Sequence, residues 1–426
     1  MTERNRRKGY FDRDSFLYIF KPGHIDLSFV ITVAVILTFG LIMMFSASVA
    51  SGTKLFKTQV IYAFVGLVLM FAASQVDLVK IEKDVHGLLT AVIYLGCMFL
   101  MVMAFFLPGD VQAGFHRILK IGPIRFQPSE FMKIALILML AKILTYFQGE
   151  LLHKEPIHFR RFDTPARTPV GSAFRAVVNF VFQQDLRVMI LLLAVIFLPA
   201  LIVQRSNHNS GAIILGLIGV CMMYSGNVKL RYFGYVFTVI AVAIAALIVI
   251  HQSAPDLFAK IDSKQRIDAW LSKDYTSTDD NRWQVNNGLY AIGSGGFFGV
   301  GFNKSVQKYY YVPEPQNDMI FAILCEEFGF FGAALVLFAF GMYLCLCANI
   351  GRKAKSKFQK FLVYGVAAHI GLQVVMNVAV VTEVIPLTGV ELPFFSSGGS
   401  ALLANLVESG LVLAVSKSNP QPRAAR

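Results

Sequence analysis

Charge is scarce in this chain. Asp, Glu, Lys and Arg make up 15% of its 426 residues, and 56% are hydrophobic, whereas a soluble domain carries about 25% charged and under 50% apolar residues. That excess is too large for a buried core, so much of the surface must meet lipid, and a soluble globular protein is excluded. Cysteine occurs five times. Cys97, Cys221, Cys325, Cys345 and Cys347 all lie in apolar stretches. None shows the C-x-x-C spacing of a metal or redox site, which leaves them as small packing residues. Internal repeats are absent, and so is any sign of two matched halves. Acidic residues are few: 26 against 39 basic ones, a formal net charge of +13.

A bilayer core of ~30 Å calls for about 20 apolar residues per helix, and on that rule the chain holds roughly ten spans. They fall near 26–48, 59–75, 87–107, 128–147, 187–204, 210–225, 231–251, 319–347, 361–385 and 395–416. The fold class is therefore an all-α integral membrane protein. The first run ends in Ala47-Ser48-Val49-Ala50, which looks like a signal-peptidase site. Its apolar part exceeds the ~7–15 residues of a signal core, so it reads as a retained helix.

Ten spans put both termini on one side, and the positive-inside rule says which. Basic residues crowd the 1–25 tail (Arg4, Arg6, Arg7, Lys8, Arg13, Lys21), the 148–187 loop (Lys154, Arg160, Arg161, Arg167, Arg175, Arg187) and the 348–360 loop. The 417–426 tail adds Lys417, Arg423 and Arg426. All four share a side by parity, which predicts cytoplasmic termini around a 26–416 membrane domain. Orientation and anionic headgroups account for the positive charge without nucleic acid. The longest gap, 252–318, falls outside the cell and precedes the eighth span. Its aromatic residues, among them Trp270, Trp283, Phe297 and Tyr309, predict an ordered loop packed on the membrane surface.

Polar groups at span edges carry the functional information. Phe126-Gln127-Pro128-Ser129-Glu130-Phe131-Met132-Lys133 opens the fourth span. Pro128 suits a first helical turn, and Glu130 and Lys133, at i and i+3, can pair. They are either a structural ion pair or catalytic groups. Asp318, in Pro313-Glu314-Pro315-Gln316-Asn317-Asp318, stands where the long loop re-enters the membrane. It is either a helix cap or a general base for a hydroxyl. Glu326 and Glu327 follow about 12–14 Å along that helix and point in different directions. Thr388-Gly389-Val390-Glu391-Leu392-Pro393-Phe394-Phe395-Ser396-Ser397-Gly398-Gly399-Ser400 precedes the last span. There Ser396, Ser397, Gly398 and Gly399 form either an amide cradle for phosphate or a tight re-entry turn.

Taken in this order, the three clusters resemble the SEDS family of shape, elongation, division and sporulation proteins. Phe126 to Lys133 matches the family's F-Q-P-S-E-x-x-K. Val312 to Ala322, with Glu326-Glu327-Phe328-Gly329, resembles its L-P-E-x-x-T-D-F-I-F-A-x-x-x-E-E-L-G. Pro386 to Ser400 is similar to P-x-T-G-I-x-L-P-F-x-S-Y-G-G-S. Phe45-Ser46-Ala47-Ser48 and Gly295-Gly296-Phe297-Phe298-Gly299 extend the likeness. The departures are Ile118 for a usual tryptophan, Ser397 for a tyrosine, and Ser206 to Gly211 in place of P-D-L-G. Thr388-Gly389 and Pro313-Glu314-Pro315-Gln316 look more like the FtsW and SpoVE branches than the RodA branch.

The resemblance implies a peptidoglycan glycosyltransferase of the bacterial plasma membrane, working at the division septum. Its substrate would be lipid II, an undecaprenyl-pyrophosphate-linked disaccharide peptide. It implies Asp318 as catalytic base and a class B penicillin-binding protein, with other divisome membrane proteins, as partners. Arg117, Arg266 and Lys133 are then candidates to hold the leaving pyrophosphate, with Gln127 and Ser129 beside them, and a divalent cation stays open. A lipid II flippase and a non-catalytic division scaffold are the alternatives.

Overall fold

The computed structural model describes residues 25–50, 52, 54–84, 87–106, 118–121, 124–152, 184–206, 208–228, 233–234, 266, 270–271, 280–309 and 311–418. Their helices are α1 (Leu27–Ser48), α2 (Lys54–Ala73), α3 (Leu78–Lys83), α4 (Leu88–Met103), α5 (Pro128–Leu152), α6 (Gln184–Arg205), α7 (Asn209–Ser225), α8 (Asp280–Gly295), α9 (Ile320–Arg352), α10 (Lys357–Val381) and α11 (Gly399–Ser418). A small antiparallel hairpin, β1 (Leu119–Ile121) with β2 (Ile124–Phe126), leads into α5. Six of these helices are long and apolar enough to cross a membrane: α1, α2, α6, α9, α10 and α11. The chain is a multi-pass, all-helical membrane protein.

The expected spans map onto these helices with shifted ends, except 231–251, nearly all of which lies outside the described residues. The 148–187 loop shrinks at both ends, because α5 runs to Leu152 and α6 starts at Gln184. The last span starts at Gly399 rather than 395, since the residues before it form a turn, and it runs through Lys417 into the expected tail. The 252–318 stretch is not loop throughout: α8 occupies Asp280–Gly295 and packs chiefly on α9.

In lipid each backbone polar group must find a partner inside the protein, and two places show how this chain does so. Pro199 sits inside α6 and has no N–H to give the carbonyl of Val195. The Tyr94 hydroxyl of α4 donates to that carbonyl instead, at 2.8 Å. The second place is Gly329, where α9 breaks at φ 67°, ψ −165°. The orphaned carbonyls of Glu326 and Glu327 accept the amides of Val300 (2.9 Å) and Gly301 (3.0 Å), while Phe330 and Phe331 donate to Gly296 (2.9 Å) and Phe297 (3.0 Å). Helix and loop thus trade four backbone bonds. A Cβ on Gly329 would strike the Gly299 amide, and one on Gly299 would strike the Glu327 carbonyl.

The glutamates at the break serve the same join. Glu327 pairs with Lys308 at 2.9 Å, both side chains fully buried, and accepts the Ser46 hydroxyl at 2.6 Å and the Asn303 amide at 3.0 Å. Glu326 accepts the Ser305 hydroxyl and the amides of Val306 (2.8 Å) and Gln307 (3.3 Å). The two carboxylates share Ser305, whose amide donates to Glu327 at 3.4 Å and whose hydroxyl donates to Glu326, and otherwise bind different partners.

Gly329→Ala should cost roughly 1–3 kcal/mol for the backbone conformation alone, plus the clash. A fall in melting temperature of detergent-purified protein, tracked against Gly341→Ala where a Cβ meets open space, checks this.

Candidate active site

All three sequence clusters meet at one end of the bundle. Gln127 donates its amide to Ser400 Oγ at 3.0 Å, and Ser400 donates its hydroxyl to the Arg125 carbonyl at 3.2 Å. These bonds join the start of α5 to the start of α11. The Ser397 amide donates to the Gln316 carbonyl at 2.8 Å, joining the pre-α11 turn to the segment before Asp318. Gln59 of α2 donates to the Ser396 carbonyl at 3.0 Å.

Asp318 is half-buried at the mouth of α9. Its side chain does not cap that helix; the N-cap is Met319, which makes no side-chain cap bond. The carboxylate instead accepts Gln284 Nε2 of α8 at 3.2 Å, and its own carbonyl accepts Asn377 Nδ2 of α10 at 2.8 Å. Asn377 also donates to the Val390 carbonyl at 2.7 Å. Arg266 lies within electrostatic reach of Asp318 and reaches the Leu387 carbonyl at 3.5 Å. Gly389 takes φ +67° beside them, and a Cβ there would lie 3.8 Å from Asp318 Oδ2 and 3.9 Å from Arg266 Nη1. The bare backbone of Gly389 keeps the approach to the carboxylate open.

Burial pushes the Asp318 carboxyl up to about 6. Its own backbone amide, the Arg266 charge and the Gln284 hydrogen bond pull the other way, and the Glu314 charge adds to the rise. A carboxylate poised there is ionised at neutral pH and still a far better proton acceptor than a solvated aspartate.

The other expected site residues fall as follows. Glu130 and Lys133 form a buried ion pair at 2.7 Å on α5, with His208 and His369 within electrostatic reach of Glu130. Gln127 Nε2 sits 3.1 Å from Ser129 Oγ and 3.5 Å from His208 Nδ1. In the pre-α11 turn, the amides of Ser396, Ser397 and Gly398 are spent on the carbonyls of Leu392, Gln316 and Ser396. The Ser396 hydroxyl serves the Leu392 amide at 2.8 Å. A Cβ on Gly398 would collide with the Glu391 carboxylate, and one on Gly399 with the Tyr62 ring. These bonds build a tight re-entry turn in which the amides of Ser396, Ser397 and Gly398 are taken. Arg117 lies outside the described residues. Among the described residues no group of three or more His, Cys, Asp or Glu side chains is placed to hold a metal ion.

Sequence reasoning missed Gln284, Asn377, His208 and Arg282. Asn377 lies in an apolar stretch with nothing local to mark it; His208 falls in the Ser206 to Gly211 segment that departs from the family, and Arg282 and Gln284 share one polar run of the long loop.

A carboxylate sunk at the mouth of an apolar helical bundle, backed by a cation and an amide donor, defines a membrane protein with a reaction or binding centre at one end. The chain belongs to the FtsW/RodA/SpoVE cell cycle protein family, whose sequence profile matches residues 26–421. Stage V sporulation protein E of Bacillus subtilis (strain 168) is 33% identical over 401 residues, 92% of this chain and 97% of that protein. A probable peptidoglycan glycosyltransferase FtsW of Geobacter sp. (strain M18) is 31% identical, over 91% of this chain and 95% of that protein. Among solved structures, a chain from a study titled "Structural coordination of polymerization and crosslinking by a peptidoglycan synthase complex" aligns with TM-score 0.66 at 23% identity, covering 93% of this chain and 99% of that one. Thermus thermophilus RodA aligns with TM-score 0.59 at 22% identity, covering 93% of this chain and 98% of RodA. Both structures share the fold.

The raised Asp318 pKa has a consequence for stability. Burying the ionised form disfavours the folded state, so the wild type loses stability as pH rises from the ordinary 3.8 through about 6. Asp318→Asn, which is neutral throughout, should therefore melt higher than wild type above pH 6, with the difference closing below pH 4. Melting curves in detergent across that range check it.

Proposed function

We propose that this protein is a peptidoglycan glycosyltransferase that polymerises lipid II, with Asp318 as its general base. The observation that carries the reading is the carboxylate of Asp318, half-buried beside Arg266 and Gln284 at the open end of the bundle. Membership of the family supports the activity, as does the likeness to probable peptidoglycan glycosyltransferases FtsW.

In this reading the ionised Asp318 takes the proton from the 4-hydroxyl of the acceptor's terminal GlcNAc. That oxygen attacks the anomeric carbon of the donor MurNAc as the bond to pyrophosphate breaks. Undecaprenyl pyrophosphate leaves, and the centre inverts to a β-1,4 link. The leaving group gathers negative charge and needs a fixed cation. Arg266 suits that role, since its charge already acts at the site. Lys133 is less suited, because its ammonium is committed to Glu130 in the bundle interior.

The basic loops lie on the opposite side from Asp318 by span parity, so the positive-inside rule puts both termini in the cytoplasm and the site at the outer face. A class B penicillin-binding protein at the septum is the partner that cross-links the product. A second reading, lipid II transport, draws on one observation. His369, midway along α10, pairs with Glu408 of α11 at 2.7 Å with both side chains fully buried, and ionisable pairs deep in a bundle often mark a transport path.

Purified protein with its transpeptidase, given lipid II in detergent or liposomes, should make long glycan. Asp318→Asn should lower the rate by about 10²–10⁴-fold, the usual worth of a general base. An active Asp318→Asn protein would sink the assignment. If neither protein makes glycan, a lipid II translocation assay with Glu408→Gln tests transport. The wild-type rate should also fall below a midpoint near pH 6, as Asp318 takes up its proton.

A further inference from the structure

Glu383 occupies a place that favours glycine. Helix α10 ends in a tight cap: the Glu383 amide donates to Val380 at 3.0 Å and the Val384 amide to Ala379 at 2.8 Å. Position 383 is the left-handed residue of that cap, at φ 61°, where a side chain is a hindrance and glycine is the usual choice. A glutamate there serves the backbone badly. What it brings is its carboxylate, which accepts Nη1 of Arg282 on the first turn of α8. That guanidinium is 2% exposed and the carboxylate 9%. The Glu383 carbonyl also accepts Trp270 Nε1 at 3.1 Å. One residue thus ties three segments around a small recess lined by Arg266, Trp270, Arg282, Glu383 and Leu387.

Each tied segment carries a partner of Asp318. Gln284, two residues past Arg282, donates to its carboxylate. Arg266, four residues before Trp270, lies within electrostatic reach of it. Asn377, six residues before Glu383, holds its carbonyl and that of Val390. We propose that the Arg282–Glu383 ion pair is a positioning device that seats α8 against the α10–α11 connection so that Gln284 faces the Asp318 carboxylate. The inference rests on Asp318 being the base.

Removing one partner unbalances a buried ion pair and risks the fold, so the decisive variant removes both: Arg282→Met with Glu383→Gly, which also puts glycine in the cap. The charged groups acting on Asp318 are Arg266, which favours its ionised form, and Glu314, which opposes it; Gln284 favours ionisation by hydrogen bonding. With the carboxyl still buried, loosening Gln284 alone removes a pull toward ionisation and therefore raises the Asp318 pKa. The double variant should melt no lower than wild type, polymerise lipid II roughly 10–100-fold more slowly through misplacement, and move its acid midpoint to higher pH. Gln284→Ala should move the midpoint the same way, and Arg282→Lys, which keeps the charge, should restore most of it. A folded double variant with the wild-type rate and midpoint overturns the proposal. So does a double variant that fails to fold, since the pair would then hold the fold and not the carboxylate. If Asp318→Asn is active, the base assignment fails first, whatever the pair does.

Discussion

The carboxamide of Asn377 donates to two backbone carbonyls at once, those of Asp318 and Val390. Both belong to irregular chain at the end of an apolar bundle, where an unmet carbonyl costs several kcal/mol. The amide is fully buried on α10, so its position is set by helix packing and not by the loops it serves. From that anchor the rest of the site follows. Asp318 is held at the mouth of α9, and Gly389 lies beside its carboxylate. The turn before α11 closes on the Gln316 carbonyl through Ser397. Asn377 and the Ser397–Gln316 bond together fix the spacing of the two connections that carry the family's most specific motifs.

The same demand explains the break in α9. Ending a helix in an apolar surround leaves carbonyls without donors, and the 296–301 loop supplies them while its own carbonyls accept from Phe330 and Phe331. Gly299 and Gly329 allow the two backbones to approach closely enough for that trade. Glu326 and Glu327 then bind the rest of the loop, from Asn303 to Lys308, so the stretch leading to Asp318 is built onto the bundle rather than laid over it. A fixed loop suits the general base proposed at Asp318, which must stay within hydrogen-bond reach of the proton it takes.

Burial has opposite effects at two acidic residues near the site. At Asp318 burial outweighs its own backbone amide, the Arg266 charge and the Gln284 hydrogen bond, so its carboxyl is raised to about 6. Glu383 meets Arg282 directly and is locked in an ion pair. The first arrangement costs stability and leaves a proton acceptor; the second holds a backbone conformation that favours glycine.

Composition and run length alone were enough to establish a polytopic helical membrane protein, because a lack of charge on this scale admits no other solvent. The i and i+3 spacing of Glu130 and Lys133 likewise announced a pair that the helix forms at 2.7 Å, since both partners share one rigid element. Motif order pointed to Asp318, yet position alone allowed a cap, and only the fold showed Met319 in that place and Gln284 on the carboxylate. The stretch before α11 allowed either a phosphate cradle or a tight turn, and the fold put the amides of Ser396, Ser397 and Gly398 on protein carbonyls. What tertiary structure alone decided are contacts between residues far apart in the chain: Ser46 with Glu327 across 281 positions, Arg282 with Glu383 across 101, and Asn377 with Asp318 across 59. Sequence records local periods because a helix repeats them, whereas these partners meet only when helices from distant parts of the chain pack side by side.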